Sequence, residues 1–220
     1  MNTAERRFTA APLAGIELRT DNGRRSIAGY AAVHYVAGDA GTEFGLRGDL
    51  VERIMPGAFD GALTDDARGL YNHDVSHVLG RQGAGTMRLT SDPRGLRYEI
   101  DLPDTTTGRD VAELVARGDV TGSSFGFTMY GGEERYEREG DTHVRYIVRV
   151  GQLYDVGPVT FPAYTAASVA VRDDRGIDAR LAELDAIEAA RLAAAETQLN
   201  RRSDIIRRIR QIELGRLNIS

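Results

Sequence analysis

The chain of 220 residues has no cysteine and no lysine; all 28 of its cationic side chains are arginine. The first absence excludes disulfides, thiolate nucleophiles and cysteine metal sites, and it accords with an intracellular protein. The second excludes Schiff-base chemistry, a phosphate-loop lysine and a serine–lysine dyad together. Nowhere do eighteen apolar residues follow one another, so no segment is expected to span a membrane. Met1 to Pro12 lacks the apolar stretch of a secretory signal. The net charge of −5 argues against a general nucleic-acid binder, so neither nucleic acid nor membrane is an expected partner.

What is present suits a turn-rich domain: 41% of residues are hydrophobic, enough for a core, and 25 are glycine. Residues 14–172 read as mostly β. Ile16 and Leu18 alternate, and Ile27, Tyr30, Val33 and Tyr35 mark a second extended stretch. Met87 and Leu89, then Leu96, Tyr98, Ile100 and Leu102, flank the turn Asp92-Pro93-Arg94-Gly95, where proline presets φ and glycine permits the return. Val144, Tyr146, Val148 and Val150 follow a Gly140-Asp141 turn and predict another hairpin. Two short helices are expected, over Gly57–Leu63 and over Arg109–Arg117, the latter with Thr107 as cap, Asp110 three residues on, and Gly118 as terminator. The class is α+β and β-rich, with a barrel as a candidate architecture.

Composition changes after Arg172. Asp173-Asp174-Arg175-Gly176 looks like a boundary, and from Ile177 to Leu217 apolar residues recur at helical spacing with no proline. Nine acidic residues balance nine arginines from Asp173 to Ser220. This reads as one long or two shorter amphipathic helices. They would pack on the domain or a second copy, or form an arm that docks on a partner assembly.

Three places are able to carry chemistry. His73 sits in Gly69-Leu70-Tyr71-Asn72-His73-Asp74, a setting in which a histidine is more often structural than catalytic. Its i, i+4 spacing to His77 suits zinc on a helix, but no glutamate follows the first histidine and the segment does not read as helical, so no metal is expected. Thr121-Gly122-Ser123-Ser124-Phe125-Gly126-Phe127 reads as a glycine-kinked strand carrying two hydroxyls; its glycine spacing is not that of the hydrolase nucleophile elbow. Asp155 lies inside the apolar run Leu153 to Tyr164, where a carboxylate is costly to bury alone; an outward-facing edge position is the plain alternative.

The order of these runs adds to them. Pro56-Gly57-Ala58-Phe59, then Asn72-His73-Asp74 with Leu79-Gly80-Arg81, come first. Ala116 to Val120 then leads into Ser123-Ser124-Phe125-Gly126-Phe127, and Pro158-Val159-Thr160-Phe161-Pro162-Ala163-Tyr164 ends the set. In this order they resemble the prohead maturation proteases of tailed bacteriophages, serine endopeptidases related to the herpesvirus assemblins. The resemblance implies an assemblin-like β-barrel core with flanking short helices over 14–172, a serine protease domain, and leaves 173–220 as a helical C-terminal arm. By motif it makes His73 the general base and acid and Ser124 the nucleophile, with Ser123 the alternative of the doubled serine. Asp155 is the orienting third member; His143, as in assemblins, and the adjacent Asp74 are weaker contenders. The implied substrate is a capsid-protein precursor or scaffold segment, and the chain itself, cut inside the immature procapsid in the bacterial cytoplasm without a cofactor. Self-association through residues 177–217 and packaging by the arm are further expectations. The alternatives are a non-catalytic capsid-assembly or scaffold-type structural protein, and another serine hydrolase such as an esterase.

Overall fold

A computed structural model of the chain describes residues 4–161 and 174–217. It divides into two units, the first ending at Asp174 and the second beginning at Arg175. The boundary expected between 172 and 173 lies outside the described residues.

The described strands of the first unit form three sheets. One runs, in spatial order, β1 (Glu5–Thr9), β10 (Gly122–Thr128), β13 (Gln152–Val159), β6 (Arg68–Leu70) and β7 (Val78–Arg81). A second holds β2 (Glu17–Asp21), β3 (Arg24–Val33), β9 (Gly95–Asp101) and β8 (Met87–Asp92). The third holds β11 (Glu133–Glu139), β12 (Thr142–Arg149), β5 (Leu50–Ile54) and β4 (Glu43–Arg47). Pairing is antiparallel except for β13 with β6 and β12 with β5. The unit is thus α+β and β-rich, but none of these sheets closes into the expected barrel. Bulges at Gly126/Phe127, Tyr30/Ala32 and Gly69/Leu70 bend the strands. The sheets then meet by packing, β3 across β10 and β1, rather than through a closed ring of ladder bonds.

Local chemistry explains the parts that were expected. In the β8–β9 hairpin Asp92 pairs with Gly95, and the Asp92 carboxylate accepts from the amides of Arg94 (2.8 Å) and Gly95 (3.1 Å), closing the turn on itself. The β11–β12 hairpin turns at Gly140-Asp141. Helix α1 (Thr106–Arg117) buries Val111, Ala112 and Val115 and ends at Gly118 in left-handed backbone, φ 79°. Its cap is Thr105 rather than Thr107, the hydroxyl accepting from the Gly108 amide at 3.2 Å; three consecutive threonines made the choice ambiguous in sequence. The helix expected at Gly57–Leu63 is instead a 3-10 turn, Asp60–Ala62, because its amides bond three residues back (Asp60 to Gly57, Ala62 to Phe59). The core gathers Phe59, Leu96, Tyr98, Ile100, Phe125 and Phe127, with Phe59 edge-on to Phe125 at 5.4 Å.

The described residues of the second unit lie in one helix, α2 (Asp174–Leu217), of 44 residues. No proline interrupts it, and at 1.5 Å per residue it is about 66 Å long. Ile187, Leu192 and Leu199 are exposed on it.

Candidate active site

Every residue of β10 is buried, and successive side chains on a strand point to opposite faces. Phe125 and Phe127 enter the core, so Ser123 does too: its hydroxyl bonds the fully buried Tyr98 hydroxyl at 2.9 Å. Burial pushes the Tyr98 phenol well above its ordinary value. Ser124 faces the other way, and its Oγ bonds Nε2 of His73. On the same imidazole, Nδ1 bonds Oδ1 of Asp155. Asp155 is carried by β13 directly opposite Gly126 of β10. The structure therefore brings His73, Ser124 and Asp155 together across 51 and 82 residues of sequence.

The lack of a side chain at position 126 matters to Asp155. A Cβ there would stand 2.4 Å from Oδ2 of Asp155. Gly126 makes room for the carboxylate.

His73 is presented by the loop between β6 and β7. Tyr71 N–H donates to His77 O at 3.1 Å and closes it, while the Asp74 carboxylate accepts from the Ser76 amide at 2.8 Å. That amide bond, with the His77 ring 3.1 Å away, holds the Asp74 carboxyl below the usual range. Asp74 is thus committed to its own turn. His77 lies beyond that turn rather than one helical turn from His73. His143, the other contender, lies in the third sheet with Nδ1 3.2 Å from Asp49 Oδ2. Among the described residues, no group of three or more histidine or acidic side chains is placed to hold a metal ion.

Strand β1, which precedes residue 14, is the part that sequence reasoning missed. Its Phe8 pairs with Ser124 and stands edge-on to the His73 ring at 5.7 Å, and the Arg7 carbonyl accepts from Ser124 Oγ at 2.7 Å. Ser124 has no exposed surface. On the opposite face of β1, the Arg7 guanidinium bonds Glu52 through Nε (2.6 Å) and Nη2 (2.7 Å), and Glu5 through Nη2 (2.6 Å). Arg145 of β12 completes the cluster, reaching Glu5 at 2.6 Å and Glu52 at 2.9 Å. Burial alone would raise the Glu5 carboxyl, but Arg145 and Arg7 outweigh it and hold the group below its ordinary value. The alternation Glu5-Arg6-Arg7-Phe8-Thr9 was the available signal, masked by its charge.

The arrangement has a defined chemical competence. An ionised carboxylate only accepts, so Asp155 fixes the imidazole tautomer with its proton on Nδ1. Nε2 is then free to accept the Ser124 proton, in competition with the Arg7 carbonyl.

A family model described as caudovirus prohead serine protease matches residues 14–181. No curated protein and no solved structure matches the chain. The end of the last motif, Pro162-Ala163-Tyr164, lies outside the described residues.

Proposed function

The chain belongs to the caudovirus prohead serine protease family, a family of serine peptidases, and from that premise we propose that Ser124, His73 and Asp155 are its catalytic residues. Ser124 Oγ attacks the scissile carbonyl carbon as Nε2 of His73 takes its proton. Asp155 stabilises the imidazolium, which then returns the proton to the leaving amine. Water, deprotonated by the same imidazole, releases the acyl group and restores the serine. Kinship with the herpesvirus assemblins is part of this reading, on the serine–histidine pair carried by a β-rich core.

The substrate is a capsid-precursor or scaffold segment, together with the chain itself, cut inside the immature procapsid within the bacterial host. The protease domain is 14–172, completed by β1. The arm, 173–220, takes the enzyme into the shell and associates with its own copies; the apolar Ile187, Leu192 and Leu199 exposed along α2 support this. No helix among the described residues is long and apolar enough to cross a membrane. The observation that carries the reading is the single imidazole shared by Ser124 and Asp155. The experiment is co-expression with the capsid precursor, read by intact mass. Trimming should stop with Ser124→Ala, His73→Ala or Asp155→Ala. Trimming that persists in Ser124→Ala would refute it, as the alternative of a non-catalytic assembly protein requires.

A further inference from the structure

We propose that Asn72 and Thr160 are positioning residues of the reaction, a clamp that fixes the backbone from which His73 spans Ser124 and Asp155; this rests on the catalytic reading of those three residues. Asn72 and His73 are consecutive non-glycine residues in left-handed backbone, φ 55° and 58°. L-residues seldom adopt that region, and asparagine is among those that tolerate it best. Two in succession persist only where the surroundings over-determine them.

Those surroundings are the end of β13. The Asn72 side chain uses both ends of its amide on one residue: Oδ1 accepts from the Thr160 N–H at 2.8 Å and Nδ2 donates to Thr160 Oγ1 at 3.1 Å. The Tyr71 hydroxyl bonds the same Oγ1 at 2.7 Å, and the Asn72 N–H donates to the Pro158 carbonyl at 3.1 Å. Four bonds thus tie the loop just before His73 to residues 158–160. The strand they grip carries Asp155 and is laddered to β10, with Gly126 opposite Asp155. A short rigid path therefore runs from the loop through β13 to both of the groups that His73 must meet. Asn72 is exposed, so its contribution is geometric rather than one of burial or charge. The same path explains why Thr160 stands two residues after Pro158 and five after Asp155, and why the loop residue before His73 is an amide. A carboxylate there would keep the acceptor for Thr160 N–H and lose the donor for Oγ1.

The test is inactivation of the full chain by diisopropyl fluorophosphate, resolved into kinact and KI, with proton NMR of the Nδ1–H shared by His73 and Asp155. Asn72→Gly keeps the left-handed backbone without strain and drops both side-chain bonds; Asn72→Ala drops them and adds strain. Both should lower kinact by about 10- to 100-fold, the effect of misplacing a catalytic group by about 1 Å, with KI changed by no more than about twofold. The downfield Nδ1–H resonance should broaden or vanish. Thr160→Val, which keeps its N–H, should lower kinact by about three- to tenfold. An Asn72→Gly protein with the kinact and resonance of the parent would overturn the clamp, because backbone freedom alone would then suffice. Ser124→Ala separates failure of the clamp from failure of the catalytic reading. If it is inert while Asn72→Gly behaves as the parent, only the clamp falls; if it is labelled as fast as the parent, the catalytic reading falls and takes the clamp with it.

Discussion

The two faces of β1 carry two buried polar clusters that differ in one respect. On one face, Arg7, Glu5, Glu52 and Arg145 pair every charge with an opposite one, Arg7 and Glu52 at 1% and 0% exposure. On the other, Asp155 and His73 end on a hydroxyl whose single proton has two acceptors within reach, Nε2 and the Arg7 carbonyl. A saturated cluster has nothing left to give and can only hold strands together. An unsaturated one has a proton that can move, as activation of a serine nucleophile requires. The strand between them serves both: Arg7 is a strut through its side chain and a neighbour of Ser124 through its carbonyl.

The strongest way to break this comparison is to remove one member from each side. Ser124→Ala should cost about 10^4-fold or more in turnover of a peptide substrate but no more than about 1–3 kcal/mol in urea denaturation, for the hydrogen bonds it removes. Arg7→Ala should do the reverse in kind, costing about 3–5 kcal/mol in urea denaturation because it leaves the Glu5 and Glu52 carboxylates with Arg145 as the one arginine that bonds both. The comparison sharpens with a paired change. Arg7→Met with Glu52→Leu removes one charge of each sign, leaves Arg145 on Glu5, and should recover most of that loss. No apolar replacement should recover the turnover lost with Ser124. If the double variant is no more stable than Arg7→Ala, the cluster is not a self-compensating strut.

Gly126→Ala tests the point at which the sheet admits the carboxylate. The added Cβ would stand 2.4 Å from Asp155 Oδ2, so the carboxylate must swing away from Nδ1. Turnover should fall by about 10- to 100-fold, and kinetics at unchanged folded fraction would check it. Ser123→Ala is the milder counterpart on the core side. It leaves the buried Tyr98 hydroxyl without its partner and should cost about 1–3 kcal/mol, with little change in turnover per folded molecule.

These residues also show what is legible in a sequence and what is not. The β8–β9 and β11–β12 hairpins and α1 could be read because their signals are local: alternation around Asp92-Pro93-Arg94-Gly95, a Gly140-Asp141 turn, a glycine at a helix end. Strands β6 and β7, of three and four residues, are too short for a period to appear, and β5 finds β12 in parallel some ninety positions on, His143 beside Leu50. Motif order is what points to His73, Ser124 and Asp155 as a set, since nothing local distinguishes a catalytic histidine from a structural one. Their meeting depends on β10 pairing with β13, which no residue type announces. The Arg7–Glu52–Arg145 cluster joins positions 45 and 93 apart, and each member taken alone looks like a solvated charge.

The smallest expected effect belongs to a buried group outside both clusters. His34 is buried and stacks on Phe59 with ring centres 6.3 Å apart. Burial lowers its pKa, against the opposing pull of the Pro93 carbonyl and the Asp92 and Asp60 carboxylates. The folded chain therefore binds a proton at His34 less readily than the unfolded chain does. Its contribution to stability is fully present above the ordinary imidazole value of about 6.5 and is lost as pH falls through the lowered folded value. Thermal midpoints between pH 8 and pH 5 should fall more steeply for the parent than for His34→Gln, which has no proton to gain. Parallel curves for the two proteins would mean that acid sensitivity in this window arises elsewhere. The saturated cluster is poorly placed to supply it, since Arg145 and Arg7 hold the Glu5 carboxyl below its ordinary range and defer its protonation to more acid solution.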